Sequence, residues 1–319
     1  MGELKRKPLG RTGVEVTELG VGGYIGALTD DTASDTQRQD AAIAAVNRAI
    51  ELGVRYFDTS PAYGTAERYL GAALSTLAAD VRQQLTLSTK VGTHPDRRHA
   101  YGADDVRWCY ERSREILGRI DILYVHDPDG DGQMDQILAA GGAFEALEGL
   151  RAAGQIRGFG LGVRNHRFLR RAVDSGRADV ILPSYDYHPI RRSLVPVLDA
   201  AAGAGVAVVN GSPYQAGLLA GIDLDEAAQR RRPDDADLAR ARAVVDWCHE
   251  RSVDVGALAV QFSLRDQRIT ATLVGPRTVD EVESGLRHAT DTLPQDLWAD
   301  LEELLADLQP PAAGGGEAQ

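Results

Sequence analysis

The sequence predicts a closed (β/α)8 TIM barrel, opened by a short β-hairpin and followed by a disordered tail. Three observations predict it. Eight short apolar runs are each stopped by Gly, Pro or Asp. The runs are almost continuously apolar rather than alternating, as strands covered on both faces are. Stretches with helical spacing separate them, and parallel strands need such crossovers. With 319 residues, 43% of them apolar, the chain can bury one large core. The expectation is one barrel over residues 1–308 and a flexible tail over 309–319.

The elements follow in order. "LGRTGVEVTELG" reads as the hairpin, with its turn at 11–13, placed to cover the bottom of the barrel. "VTELGVGG" is the first barrel strand, and the polar "GALTDDTASDTQRQ" after it is a long loop with the makings of a lid, its acids kept in solvent. "DAAIAAVNRAIELG" repeats Ile43, Val46 and Ile50 at helix spacing. "VRYFDTS" and "LTLSTKVG" are strands two and three, and Asp104 is the expected N-cap of "DVRWCYERSREILG". "DILYVHDP" is strand four. The glycines of strand five, "IRGFGLGV", resemble part of a dinucleotide fingerprint but lack its βαβ context and acidic partner, so close packing is the expected reason for them. "VILPSYD", "VAVVNGSP" and "ATLVGPR" complete the eight, and "QPPAAGGGEAQ" has nothing to bury.

Composition removes several function classes. A net charge of −12 disfavours an extended nucleic-acid surface, which needs clustered Lys and Arg. The opening "MGELKRKPLG" has no apolar signal region and no run reaches the roughly eighteen apolar residues of a spanning helix, so the expectation is a cytoplasmic chain with no membrane partner. Cys109 and Cys248 lie far apart in helical patterns and imply neither a disulfide framework nor a thiolate site. His94, His99, His166 and His188 show no ligand spacing, so no metal is assigned. No exposed interface can be read; a monomer is compatible with everything here.

In this architecture the chemistry sits at the C-terminal ends of the strands. Those ends carry Asp58 with Tyr63 just beyond, Lys90, His126 beside Asp127, Asn165 and Ser184. A free phenol has a pKa near 10, so Tyr63 can move a proton near neutrality only if a cation stabilises the phenolate. Lys90 supplies the cation and Asp58 holds it, while His126 orients a carbonyl or shares the proton. Taken singly, Asp58 and Lys90 also fit a structural ion pair, and Tyr63 and His126 fit ordinary loop and barrel-mouth positions. Their joint placement at three successive strand ends favours the chemical reading. Lysines at strand ends also form Schiff bases, as in barrel aldolases, but pairing with Asp58 keeps the amine protonated and poorly nucleophilic.

The motifs "FDTSPAYGTAE", "STK" and "DILYVHDPD" resemble those of the aldo-keto reductases, and the likeness runs from Leu9 to Leu308. The wording "HDPD" is closest to the branch of L-fucose, D-galactose and D-threo-aldose 1-dehydrogenases, whose relatives include pyridoxal 4-dehydrogenases. The resemblance implies hydride transfer between a nicotinamide cofactor and the carbonyl or alcohol of an aldose or small aldehyde, with Tyr63 as general acid/base. It implies cofactor contacts from Gly23 and Tyr24 after strand one, from Asp58, and from Asn165 toward the nicotinamide carboxamide. Ser184 stands where a glutamine is commoner, and Gly211 where many members stack a tyrosine. In "NGSPYQAGLL", Ser212, Pro213 and Gly217 match a pyrophosphate loop. In "LVGPRTVDEVESGL", Gly275, Arg277 and Thr278 match the adenosine end, where Glu281 replaces a common basic residue. Arg277 tips the expectation to NADP(H), with NAD(H) as the alternative; a helix N-terminal pair between Arg277 and Glu281 is the competing structural role. Tyr24, Trp108, Tyr185 and Tyr187 are candidate flat faces for the substrate. The alternatives kept open are pyridoxal 4-dehydrogenase-like activity and a non-catalytic NADP(H)-binding redox sensor.

Overall fold

The computed structural model describes residues 2–23, 25 and 32–308. The tail at 309–319, Tyr24 and the 26–31 part of the expected lid lie outside the described residues. Strands β1 (Arg6–Pro8) and β2 (Glu15–Thr17) pair antiparallel as the hairpin. The barrel strands are β3 (Leu19–Val21), β4 (Tyr56–Asp58) and β5 (Thr86–Val91). After a two-stranded ribbon of β6 (Thr93–His94) and β7 (Arg97–Arg98) come β8 (Ile122–His126), β9 (Gly158–Gly162), β10 (Val180–Leu182), β11 (Ala207–Gly211) and β12 (Ala271–Val274). β3, β4, β5 and β8 to β12 are all parallel, and β12 pairs back onto β3 to close the barrel.

Strand alternation makes two cores from one sheet. Inside, Tyr56, Ile122, Tyr124, Val180, Val209 and Leu273 pack with Leu9 and Val16 of the hairpin. Outside, Leu87, Val125, Phe159 and Ile181 meet the helices. The hairpin closes the bottom as expected, but its first strand lies upstream of the quoted segment and its turn spans 9–14. The hydroxyl of Thr86 donates to the carbonyl of Glu15 at 2.9 Å, and Arg11 reaches the buried Asp179 carboxylate at 2.7 Å. Those bonds tie the plug to the strand beginnings. The glycines of β9 are packing glycines: a Cβ on Gly160 would lie 1.6 Å from the Val180 carbonyl oxygen, and one on Gly158 2.3 Å from the Thr12 methyl.

Two boundaries move. The first long helix begins at Asp35, inside the stretch read as loop, because Ser34 and Gln37 form a reciprocal capping box. The helix Ala103–Leu117 is capped by Gly102, so Asp104 sits within its first turn, where a carboxylate still favours the N-terminal dipole. Among the described residues, no helix is long and apolar enough to cross a membrane. No group of three or more His, Cys, Asp or Glu there could hold a metal ion.

Candidate active site

β4 ends by delivering Asp58 to the mouth of the barrel. The chain then turns sharply: the Ser60 hydroxyl accepts from the Ala62 N–H at 3.1 Å, and the Ser60 carbonyl accepts from the Tyr63 N–H at 3.0 Å. Gly64 follows at φ +59°, a left-handed position that glycine takes without strain. The turn brings Tyr63 back over the strand end. Inward register on the neighbouring strand puts Lys90 beside it, since Asp58 pairs with Ser88 across β4 and β5.

Lys90 is 1% exposed and Asp58 5%, so their contact is a buried ion pair. The ammonium donates to Asp58 Oδ2 at 2.5 Å and to the Thr59 carbonyl at 2.8 Å. It also lies 4.8 Å from the centroid of the Tyr63 ring and within hydrogen-bonding reach of its hydroxyl. Burial works against the charge on Lys90, but Asp58 and Tyr63 outweigh it and hold the lysine pKa above its ordinary value. Burial pushes the Tyr63 phenol up, Lys90 pulls it down, and Asp58 and Asp127 add to the rise. The resting phenol is therefore protonated, with a fixed cation beside it.

His126 ends β8 and meets Tyr63 edge-on, with ring centroids 5.7 Å apart. Burial, with the nearby Lys90 charge, pushes its pKa down to about 2, so the imidazole is neutral. It can donate a hydrogen bond but cannot serve as an imidazolium acid. Thr93, on the β6–β7 ribbon, sits 2.7 Å from Nδ1, and the Tyr101 hydroxyl donates to the His126 carbonyl at 2.8 Å. Nε2 lies 3.3 Å from Asp127 Oδ2. Phenol, ammonium, carboxylate and imidazole thus converge, as their positions at three strand ends required. The protonated, paired Lys90 is a poor Schiff-base nucleophile, which sets the aldolase alternative aside.

A side-chain-free floor flanks this cluster. A Cβ on Gly22 would lie 3.3 Å from the Asp58 Cβ, one on Gly275 3.3 Å from the Gly22 carbonyl, and one on Gly211 3.3 Å from both Ser184 Cβ and the Pro183 carbonyl. Gly23 takes φ +88°. Ser184 and Gly211 are joined by a bridge between the ends of β10 and β11. Such a floor beside a proton donor suits a flat ring. Asn165 caps the helix His166–Asp174, its side-chain oxygen accepting from the Phe168 N–H at 3.2 Å, which fixes the carboxamide at the rim of the barrel mouth.

After β11 the backbone turns through left-handed angles at Ser212, Gln215, Ala216 and Gly217. Gly217 spends its N–H on the Tyr214 carbonyl, so it contributes a backbone shape rather than a free donor. The turn is anchored from below: Gln215 donates to Asp237 at 2.9 Å and accepts from His188 at 3.1 Å, while Arg191 reaches the same Asp237 carboxylate at 2.5 Å. At the far end Thr278 caps the helix Val279–Thr290. Arg277 is closed on Glu281, guanidinium to carboxylate at 2.5 Å and 3.1 Å, with its own N–H on the second oxygen at 2.7 Å.

One pocket expectation is corrected. Tyr187 is buried against Phe262 and donates to Asp266 at 2.5 Å, so it serves the core. Trp108 is half-buried, with the Arg97 guanidinium 4.3 Å over its ring and His94 edge-on to it, so it also supports the β6–β7 ribbon. Sequence reasoning missed that ribbon, with Thr93, and it missed Ser88, Tyr56 and Tyr124 beneath the cluster. The available signal was the two-residue step inward from each catalytic candidate along its strand.

Comparison with known proteins agrees with the geometry. Residues 18–306 match the model of the aldo/keto reductase family. The pyridoxal 4-dehydrogenase of Microbacterium luteolum is 30% identical, over 93% of this chain and 96% of its own length. The L-galactose dehydrogenase of Arabidopsis thaliana is 30% identical, over 96% and 95%. The D-threo-aldose 1-dehydrogenase of a Pseudomonas species is 31% identical, over 89% and 91%. With the barrel, the strand-end cluster and a family match across nearly all of its length, this chain belongs to the aldo/keto reductase family and is an oxidoreductase.

Proposed function

We propose that the protein interconverts an aldose, or a small aldehyde of similar size, and its oxidised or reduced partner, using a nicotinamide dinucleotide and Tyr63 as the general acid/base. The observation that carries the reading is the buried Lys90 ammonium held between Asp58 and Tyr63. The cofactor, when bound, gives or takes a hydride at the reacting carbon. The protein's part is proton control and orientation. In reduction the Tyr63 hydroxyl gives its proton to the developing alkoxide, and Lys90 stabilises the phenolate left behind. In oxidation the same phenolate takes the proton from the alcohol. Neutral His126 donates a hydrogen bond to the substrate oxygen without competing for the proton.

The glycine floor of Gly22, Gly23, Gly211 and Gly275 fits the flat ring, with Asn165 and Ser184 at its rim and Ser212, Pro213 and Gly217 shaping the turn for the pyrophosphate. Taken alone, Arg277 favoured a 2′-phosphate. Its pairing with Glu281 moves the balance to NAD(H), because a phosphate would have to break a charge-assisted pair and face a carboxylate, whereas a ribose diol can donate to Glu281. Two of the three relatives are named for sugars and one for pyridoxal, so aldoses are the leading class. The test is fluorescence titration with NADH and NADPH, followed by a panel of aldoses, small aldehydes and pyridoxal. Turnover should appear with at least one aldose. Tyr63→Phe should keep cofactor affinity within about twofold while turnover falls about 10²–10⁴-fold, the usual worth of a general acid/base. Tight binding without turnover on any substrate would favour a redox sensor, and unchanged kinetics in Tyr63→Phe would remove it from the chemistry.

A further inference from the structure

Below the cluster, the inward-facing layer of three adjacent strands is hydroxylic rather than aliphatic. Two residues upstream of Asp58 on β4 stands Tyr56, two upstream of Lys90 on β5 stands Ser88, and two upstream of His126 on β8 stands Tyr124. All three are fully buried. Their hydroxyls form one connected line: Tyr124 to Tyr56 at 3.0 Å, Tyr56 to Ser88 at 3.2 Å, and Ser88 to Asp58 Oδ1 at 2.6 Å. The proton count fixes its direction. Ser88 has one proton, and the short bond to a carboxylate claims it, so Tyr56 must donate to Ser88 and Tyr124 to Tyr56. Burial keeps both of these phenols protonated.

The geometry points to Ser88, backed by Tyr56 and Tyr124, as a positioning relay that sets how much of the Lys90 charge reaches Tyr63. Asp58 offers one oxygen to Lys90 and the other to Ser88. A donor on the second oxygen locks the carboxylate's rotation and draws negative charge away from the lysine side. Lys90 is then less fully neutralised, and its field on the Tyr63 phenolate is stronger. Removing the donor concentrates the carboxylate's charge on Lys90 and makes the phenolate harder to form. The groups facing Tyr63 are Lys90 from β5, Asp58 from β4, and His126 and Asp127 from the end of β8. Glu67, buried on the helix Ala66–Thr76 and hydrogen-bonded to Thr89, acts on Lys90 from the outer side. The relay changes none of these directly except Asp58.

This inference rests on the acid/base reading of Tyr63, and its test separates the two. In protein carrying ¹³Cζ-tyrosine, the Tyr63 resonance is assigned by its loss in Tyr63→Phe and followed with pH. Ser88→Ala should raise the Tyr63 midpoint by about half a unit to one unit, Tyr56→Phe should raise it by less, and Tyr124→Phe by least. The rising limb of the pH profile for alcohol oxidation should move with the same sign and order, with KM for the cofactor unchanged. A Tyr63 midpoint that stays put or falls in Ser88→Ala overturns the relay. If Ser88→Ala does not fold, Tyr56→Phe keeps the ring volume and decides alone. A wild-type protein with no nicotinamide-linked turnover would defeat the functional reading, while the resonance would still report on the relay.

Discussion

Asp58→Asn preserves side-chain shape and removes one charge from a pair that is almost wholly out of water. Lys90 would keep the Thr59 carbonyl and an amide oxygen as acceptors but no counter-charge in direct contact. Stranding one member of a buried pair costs about 3–5 kcal/mol. The lysine can escape that penalty by losing its proton, which costs about 4–5 kcal/mol at pH 7 but only about 2 kcal/mol at pH 9, given an ordinary lysine pKa. The cheaper route sets the loss. The variant should therefore be about 3–5 kcal/mol less stable than wild type at pH 7 and no more than about 2 kcal/mol less stable at pH 9. The sign follows from proton linkage. In wild type the raised folded pKa of Lys90 gives stability that is full below the unfolded pKa and lost only as pH rises through the folded value. In the variant the folded pKa falls below the unfolded one, unfolding takes up a proton, and the gap to wild type narrows as pH rises. Urea denaturation of both proteins at pH 7 and pH 9 measures it, with equal m-values as the check on two-state behaviour. A gap under about 1 kcal/mol at pH 7, or one that widens toward pH 9, would refute an ion pair of this kind.

Two further outcomes are expected. Glu281→Gln should free Arg277 and improve NADPH binding relative to NADH by about tenfold, roughly one charge-assisted hydrogen bond, while Arg277→Ala should cost NADPH little; equal changes for both cofactors in fluorescence titrations would show that this corner does not read the ribose. Burial lowers the pKa of His126 to about 2 and that of His188 to about 4. Below about pH 6.5 the unfolded chain therefore binds protons that the folded one refuses, and stability should fall by about 1.4 kcal/mol per pH unit for each histidine, or about 4 kcal/mol between pH 7 and pH 5. His288 is lowered by burial as well and adds to the same slope; His126→Asn should remove about 1.4 kcal/mol per pH unit of it in urea curves, and an unchanged slope would place the acid sensitivity elsewhere.

Sequence alone determined the order of the eight barrel strands and the plugging hairpin, because strands covered on both faces read as largely apolar runs and each of these runs is closed by Gly, Pro or Asp. It also determined that Asp58, Tyr63, Lys90 and His126 stand at successive strand ends, since that follows from linear position once the barrel is granted. Helix starts were less legible: a capping box moved one start upstream to Asp35, and a glycine displaced Asp104 from its cap. The first start is written in the sequence as Ser34 with Gln37 three residues on, whereas the glycine cap depends on backbone angles that composition does not encode. Only the tertiary structure decided which charges meet. Arg277 read alone is a phosphate ligand, and four residues away along a helix turn Glu281 closes on it. Tyr187 read alone is a pocket wall, yet its hydroxyl is held by Asp266 in the core. Ser88, Tyr56 and Tyr124 carry no motif, and they become a hydrogen-bonded line beneath Asp58 only when strand register brings inward positions of three neighbouring strands together. Apolar periodicity is written locally along the chain, whereas the partner of a polar group is set by distance through space, and barrel closure is what fixes that distance.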